Sequence, residues 1–246
     1  IQVLIALIAF PPAVLAEVVP DAAAQPGRRP TMDKAANGVP LVNIVAPSAS
    51  GLSHNPYSRF DVNAQGLILN NAERASATQL GGIVGGNPNL GGKAPARVIL
   101  NEVTGANRSH IEGYVEVAGQ KADVILANPQ GVTVNGGGFI NVDRATVTTG
   151  RPEFDGDRLW LRVEGGDVRI DGAGINASNI TGFDVVSRAA EINAQVHAND
   201  LTVTTGRNDY DPATRQATPL APGGSAAPTV AIDSTALGGM YAGRIT

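Results

Sequence analysis

Five aspartates, Asp123, Asp143, Asp155, Asp167 and Asp171, are the residues best placed to do chemistry in this chain. Acidic groups on neighbouring strands can hold calcium or share general acid and base work on a polysaccharide. Such chemistry needs two carboxyls facing across a cleft, and the spacing of these five does not impose that. As turn residues they are more simply read as solvated. His54, His110 and His197 fall in separate stretches without metal-ligand spacing, which assigns them surface or capping roles and leaves no metal site. Ser53, Ser58 and Ser109 lack the context of a nucleophile elbow. Trp160, in RLWLRV, alternates with its neighbours as a packed or rim aromatic does, and less as a sugar-stacking platform. The glycine-rich stretches GGNPNLGG and NGGGF lack the Gly-Lys-Ser/Thr ending that cradles phosphates. No cofactor is implied, and no enzyme is expected.

The elements that would position any site are strands. Short apolar runs such as LVNIVAP, GLILNN, ARVILNEV, ADVILANP and RLWLRVEGGDVRIDG follow one another with turn residues between them. One helix is predicted, Ala72 to Gln79 capped by Asn71, on a weak apolar stripe. With 30 Gly, 16 Pro and 4% aromatic residues, the core must be built from Val, Ile, Leu and Ala. The absence of cysteine removes disulfides and thiolate chemistry, and a net charge of -4 offers no basic field for nucleic acid.

Internal echoes bear on the architecture. TVTTGRPEFD at 146 to 155 returns as TVTTGRNDYD at 202 to 211, VILN at 98 returns as VILAN at 124, and INA occurs at 175 and 192. A loose solenoid fits them: a parallel β-helix whose inward aliphatic residues stack from coil to coil, with turn asparagines stacking their amides. A β-sandwich competes, because Asn37-Gly38 and Asn135-Gly136 are hairpin dipeptides. Gly136 to Gly138 are read as a coil corner that bends a strand at Val132 to Val134 into one at Phe139 to Val142.

The uncharged start, IQVLIALIAFPPAVLA, is too short to span a bilayer and places Val14 and Ala16 where a signal peptidase reads. Residues 1–16 are therefore expected to be the C-terminal part of a signal peptide, cleaved between Ala16 and Glu17. Residues 17–40 lack periodicity and read as an extended leader, leaving 41–246 as the β-helix domain. The last strand-like run has no closing polar cap, so more repeats are expected beyond Thr246.

Two proline turns remain, Asn87-Pro88-Asn89-Leu90 and Asn128-Pro129-Gln130-Gly131-Val132. Proline fixes φ, and the preceding Asn can accept a hydrogen bond from the N–H two residues on, so each is at least a rigid corner. Together with HNPYSRFDVNAQGLILNNA (54 to 72), the stretch from 99 to 150 and AIDSTALGGMYAGRI (231 to 245), they occur in the order found in the filamentous haemagglutinin family. Nearly all of 41–246 resembles the N-terminal secretion domain of two-partner secretion, most closely that of contact-dependent growth inhibition toxins. Val132 stands where many relatives have Ile. The resemblance implies an all-β, right-handed parallel β-helix with extra-helical strands and an N-terminal cap. It also implies export by the Sec machinery, recognition by the POTRA domains of an outer-membrane TpsB-type (Omp85 family) β-barrel, and delivery through the periplasm to the cell surface or beyond. The rest of such an exoprotein would meet a host or bacterial cell surface. The two motifs match those by which the family is known, as transporter contacts or as fold-defining corners. A polysaccharide-binding or polysaccharide-cleaving β-helix is the alternative, and direct adhesion by this domain a third.

Overall fold

Among residues 17–221, 228–235 and 238–246, which the computed structural model describes, strands do nearly all the building. The one helical element there is a 3-10 turn at Pro88–Leu90. Three mostly parallel sheets carry the architecture. The longest stacks Leu52–Asp61, Val98–Val103, Ala122–Ala127, Val142–Thr148, Gly182–Ser187 and Gln195–Thr205. A second stacks Pro40–Asn43, Leu67–Asn71, Val115–Gly119 and Phe139–Ile140. The third stacks Ser109–Ile111, Val132–Val134, Asp167–Ile170, Ala189–Ile192 and Ile232–Ser234. The chain visits them in rotation: Val98–Val103, Ser109–Ile111 and Val115–Gly119 form one rung, and Ala122–Ala127, Val132–Val134 and Phe139–Ile140 the next.

This winding stacks like on like. Ile99, Val124, Ala145, Phe183 and Leu201 are successive partners in the long sheet, and Ile111, Val134, Ile170 and Ile192 in the third. All nine belong to one buried core. Each large aliphatic side chain so buried contributes about 1.5–3 kcal/mol, which is how a chain poor in aromatics holds a long interior. Strand Leu67–Asn71 is buried at every position because its outer face is covered as well, with Ile68 packed among Ala35, Val39, Leu41 and Val84.

Two expectations are corrected here. The helix predicted for Ala72 to Gln79 is absent: Asn71 ends a strand, and Ser76–Thr78 pairs with Gly82–Val84 as an antiparallel hairpin. The Asn71 amide is spent elsewhere, donating to Ala96 O and Gln120 O at 2.9 Å, so it caps no helix. Buried Glu116 instead holds the hairpin turn through the N–H groups of Gln79 and Leu80, at 2.7 and 2.8 Å. Nor is 17–40 merely an extended leader. Glu17–Pro20 pairs antiparallel with Leu52–Asp61, and Thr31–Lys34 pairs with Pro40–Asn43 through the Asn37-Gly38 turn. These strands cover the first edges of two parallel sheets, which would otherwise be left open.

The echoes differ in what they mark. Thr146 pairs with Asp184 and Asp184 with Thr202, so the TVTTGR repeats are equivalent positions two rungs apart. After each, the chain leaves the rotation. Arg151–Asp155, Arg158–Val163, Asn208–Asp211 and Gln216–Pro219 form one antiparallel sheet, which packs Leu159, Leu161, Val163 and Tyr210 on the outward Leu100, Ile125 and Val186. By contrast Val98 pairs with Asp123 and Ile99 with Val124, so the VIL echo is one residue out of register. The INA echo is also inequivalent, since Ile175 pairs with Val196 and Ile192 with Ile170.

At the glycine triplet the expected corner is present, and Asn135-Gly136 belongs to it and not to a hairpin. The strand after it ends early, at Ile140, because Asn141 takes φ 55° and donates to Val117 O at 2.7 Å, making a second corner before Val142–Thr148. A side chain on Gly138 would put its Cβ 2.1 Å from Asn176 O, whereas one on Gly156, at φ 59°, meets nothing within 4 Å. Gly138→Ala is expected to cost about 2–4 kcal/mol in urea unfolding, and Gly156→Ala about 1 kcal/mol. Equal losses would contradict this packing.

Candidate functional site

Both Asn-Pro motifs fold into the same device. At the first, Asn87 lies at φ -71°, ψ 114°, its Oδ1 accepts from Asn89 N at 2.8 Å, and Pro88 opens the 3-10 turn that ends at left-handed Gly91. The Asn87 amide nitrogen donates to Ile44 O and Asn70 O at 2.9 and 2.8 Å, joining two rungs. Asn89 donates to Asn43 O at 2.8 Å and to Thr31 Oγ1 at 3.2 Å, and Leu90 is buried. At the second motif, Asn128 Oδ1 accepts from Gln130 N at 2.9 Å, and its nitrogen donates to Asn107 O at 3.0 Å and Ser109 Oγ at 2.9 Å. Gly131 N closes the turn on Asn128 O at 2.9 Å, Gly131 takes φ 105°, and Val132 enters the third sheet.

Asn87 and Asn128 are buried with every strong donor and acceptor of their side chains engaged. What the motifs present outward is Pro88 and Gln130, with Asn89 and Pro129 half-buried. The same economy recurs where no motif advertised it: Asn70 donates to Asn43 Oδ1 at 2.8 Å, and Asn55 accepts from Val45 N at 2.8 Å. Ala16 lies outside the described residues, and Glu17 opens the first strand.

The candidate acids are dispersed and occupied. Asp143 accepts from Thr181 Oγ1 at 2.7 Å, Asp171 from Asn193 Nδ2 at 2.8 Å, and Asp167 is held by Arg108 and Arg169. Asp155 is exposed at a strand end. Asp123 lines a cleft of about 440 Å³ that none of the other four lines. Among the described residues no group of three or more His, Cys, Asp or Glu is arranged for a metal. His54 Nε2 lies 2.6 Å from Glu102 Oε2, His110 gives its backbone N–H to Asp61 at 2.8 Å, and His197 stacks on Tyr241. Ser53 donates to Val45 O, Ser58 to Val19 O, and Ser109 Oγ serves Asn128. Trp160 is half-buried, and the Arg158 guanidinium carbon sits 3.9 Å from its ring centroid, over one face.

One cluster gave no signal in the sequence. Arg144 bridges Asp184 at 2.9 Å and Asp200 at 3.2 Å, and Asp200 also takes Arg215 at 2.9 Å and Arg244 at 2.7 Å. Tyr210 OH approaches Asp184 at 3.4 Å. The cluster pins the antiparallel sheet and the strand Gly239–Ile245 to the long sheet. Burial raises the Asp184 carboxyl above its ordinary value, while the Arg244 hydrogen bond, with Arg215 and Arg144, holds Asp200 well below its own.

Mostly parallel sheets wound in rotation and closed by asparagine corners define an all-β module. The chain matches the model of the TPS secretion domain over residues 16–246 and belongs to that family. It is 50% identical over its whole length to the 16S rRNA endonuclease CdiA of Enterobacter cloacae subsp. cloacae. Over 99% of its length it is 44% identical to the toxin CdiA of Yersinia pestis. It spans about 7% of the length of each of these relatives, so the activities in their names belong to far longer proteins. The crystal structure of a filamentous hemagglutinin secretion domain superposes with a TM-score of 0.84 at 39% identity, covering 93% of this chain and 77% of that one.

Two outcomes check the geometry. Asn128→Ala, which removes a buried amide and the bonds it makes to Ser109 Oγ, Asn107 O and Gln130 N, is expected to cost about 2–4 kcal/mol in urea unfolding, and Pro129→Ala less than half as much. A loss below 1 kcal/mol for Asn128→Ala would show that the corner stands without its amide. A carboxylate with a depressed folded pKa stabilises fully above its unfolded value, near 4, and loses that contribution as pH falls toward the folded value. Asp184, shifted the other way, costs stability when ionised and relieves that cost on acidification. Asp200→Asn should therefore lower the melting temperature at pH 7, by a gap that begins to narrow only below about pH 4 and shrinks further as the pH falls toward the depressed folded value. A gap independent of pH would refute the assignment.

Proposed function

We propose that this domain is the N-terminal address of a large Gram-negative exoprotein, an adhesin or a contact-dependent inhibition toxin, and that its rotating sheets wind as a right-handed parallel β-helix. The polypeptide is exported by the Sec machinery and loses its signal peptide after Ala16. The POTRA domains of a TpsB-type outer-membrane β-barrel then read it in the periplasm and start its passage to the cell surface. The observation that carries this reading is the family match across residues 16–246, supported by the fold likeness to the filamentous hemagglutinin secretion domain. The domain itself performs no reaction.

Growth of the fold supplies a physical driving force. Each rung laid on the last buries a fresh set of aliphatic side chains and pairs a fresh row of main-chain groups. Folding outside the cell thereby biases the chain against sliding back. In this reading Asn87 and Asn128 shape corners, because their side chains are spent on neighbouring rungs, and the motif atoms open to the transporter are those of Pro88 and Gln130.

Co-precipitation of residues 17–246 with the purified POTRA domains of the cognate barrel tests the reading. Retention is expected, and the exported protein should begin at Glu17 on N-terminal sequencing. Absence of retention at low salt would overturn transporter recognition, and a different first residue would overturn the cleavage site.

A further inference from the structure

The cleft that Asp123 lines is used by nothing described so far. It opens where the antiparallel sheet stands off the outer face of the long sheet, and its walls include Leu52, Val98, Ile125 and Leu159. Three carboxylates line it, and one of them, Asp211, is already paired with Arg158 at 2.7 Å. Asp123 is half-buried and accepts from Arg144 N at 3.1 Å, and among the described residues no cationic side chain forms an ion pair with it. Asp157, at the turn beside it, is exposed and has no cationic partner there either. The arginines at the rim are already committed, Arg144 to Asp184 and Asp200, and Arg158 to Asp211 and the Trp160 ring. The slot is therefore apolar along its walls and negative at its base. Burial already raises the Asp123 carboxyl above its ordinary value, so an arriving cation would meet a poorly solvated acid.

An alkyl stem carrying a terminal cation satisfies both properties, packing its methylenes on the aliphatic walls while its head reaches the carboxylate. The surroundings decide what bears that cation. At Ser50, Leu52 and Asp157 the slot continues into a larger cleft of about 790 Å³, lined by the exposed ring of Phe154 and by Arg28 and Lys93. Neither of those two cations has an ion pair among the described residues. A free amine would leave most of this groove empty, whereas an extended polypeptide spans it.

We infer that the groove is the seat of an extended segment of the transporter's periplasmic domain, with a Lys or Arg inserted beside Asp123, an apolar residue against Phe154 and an acidic residue at Arg28 and Lys93. This rests on the proposed recognition by that transporter and specifies where on the domain it occurs. The charges of the groove that have no ion pair are negative at Asp123 and Asp157 and positive at Arg28 and Lys93, while Asp21, which also lines it, is engaged by Ala23 N and Thr104 Oγ1.

The test measures affinity of residues 17–246 for purified POTRA domains by calorimetry. Asp123→Asn keeps the acceptor for Arg144 N and removes only charge, so its melting temperature should stay at or above that of the unaltered domain. Its affinity should fall about tenfold or more, as expected for losing one partner of a desolvated charge pair. Phe154→Ser, at an exposed ring, should also weaken binding without unfolding the domain, and Asp233→Asn, on an exposed strand outside the groove, should bind as before. If Asp123→Asn and Phe154→Ser bind as tightly as the unaltered domain, the groove is not the site while transporter recognition stands. If the unaltered domain does not bind, the proposed function and this inference fail together.

Discussion

Main-chain hydrogen bonding at the corners is the constraint on which this fold depends. A strand in a parallel stack shares its N–H and C=O groups with the rungs above and below, but the chain must also turn between sheets without burying unpaired polar groups. Asparagine meets that need because one amide offers an acceptor and two donors within a single turn. At Asn87 and Asn128 the acceptor closes the turn locally while the donors reach another rung. Asn71 and Asn141 do related work at other corners. The Asn-Pro motifs are thus the proline-stiffened members of a broader set of amide corners.

Register follows from this. Once a corner is fixed, every residue after it faces inward or outward by parity, and a slip of one residue exchanges the two faces. Ile99 and Val124 are therefore core partners, while Leu100 and Ile125 face out beneath the antiparallel sheet. That second, outward apolar stripe is the reason an extra sheet can pack there. The TVTTGR repeats lead into it from equivalent places, so a two-rung repeat produces one four-stranded cover.

Charge ties the cover down in a chain without disulfides. Arg144, Asp184, Asp200, Arg215 and Arg244 come from the long sheet, the antiparallel sheet's loop and the final described strand, and their pairing makes those elements interdependent. Ion pairs of this kind, buried at Asp184 and open at Arg244, are weak evidence for stability. The cover stands away from the long sheet near Asp123, leaving an apolar slot open at one side. Cover and groove are two consequences of the same stand-off.

Residue type and order alone determined the β class, the aliphatic core and the two rigid Asn-Pro corners, because turn chemistry and side-chain volume are local properties. The family followed from separated blocks in a fixed order. Register was legible only in part: the TVTTGR echo marked true equivalence, while VIL and INA did not, since short apolar runs repeat by composition as readily as by position. Asn71 read as a helix cap, and residues 17–40 as an unpaired leader, because strands of three or four residues carry little periodicity of their own. Only the tertiary structure paired Thr31–Lys34 with Pro40–Asn43 and gathered Arg144, Asp184, Asp200 and Arg244 from across a hundred residues. Those contacts depend on how many residues each excursion inserts between rungs, which no local pattern encodes.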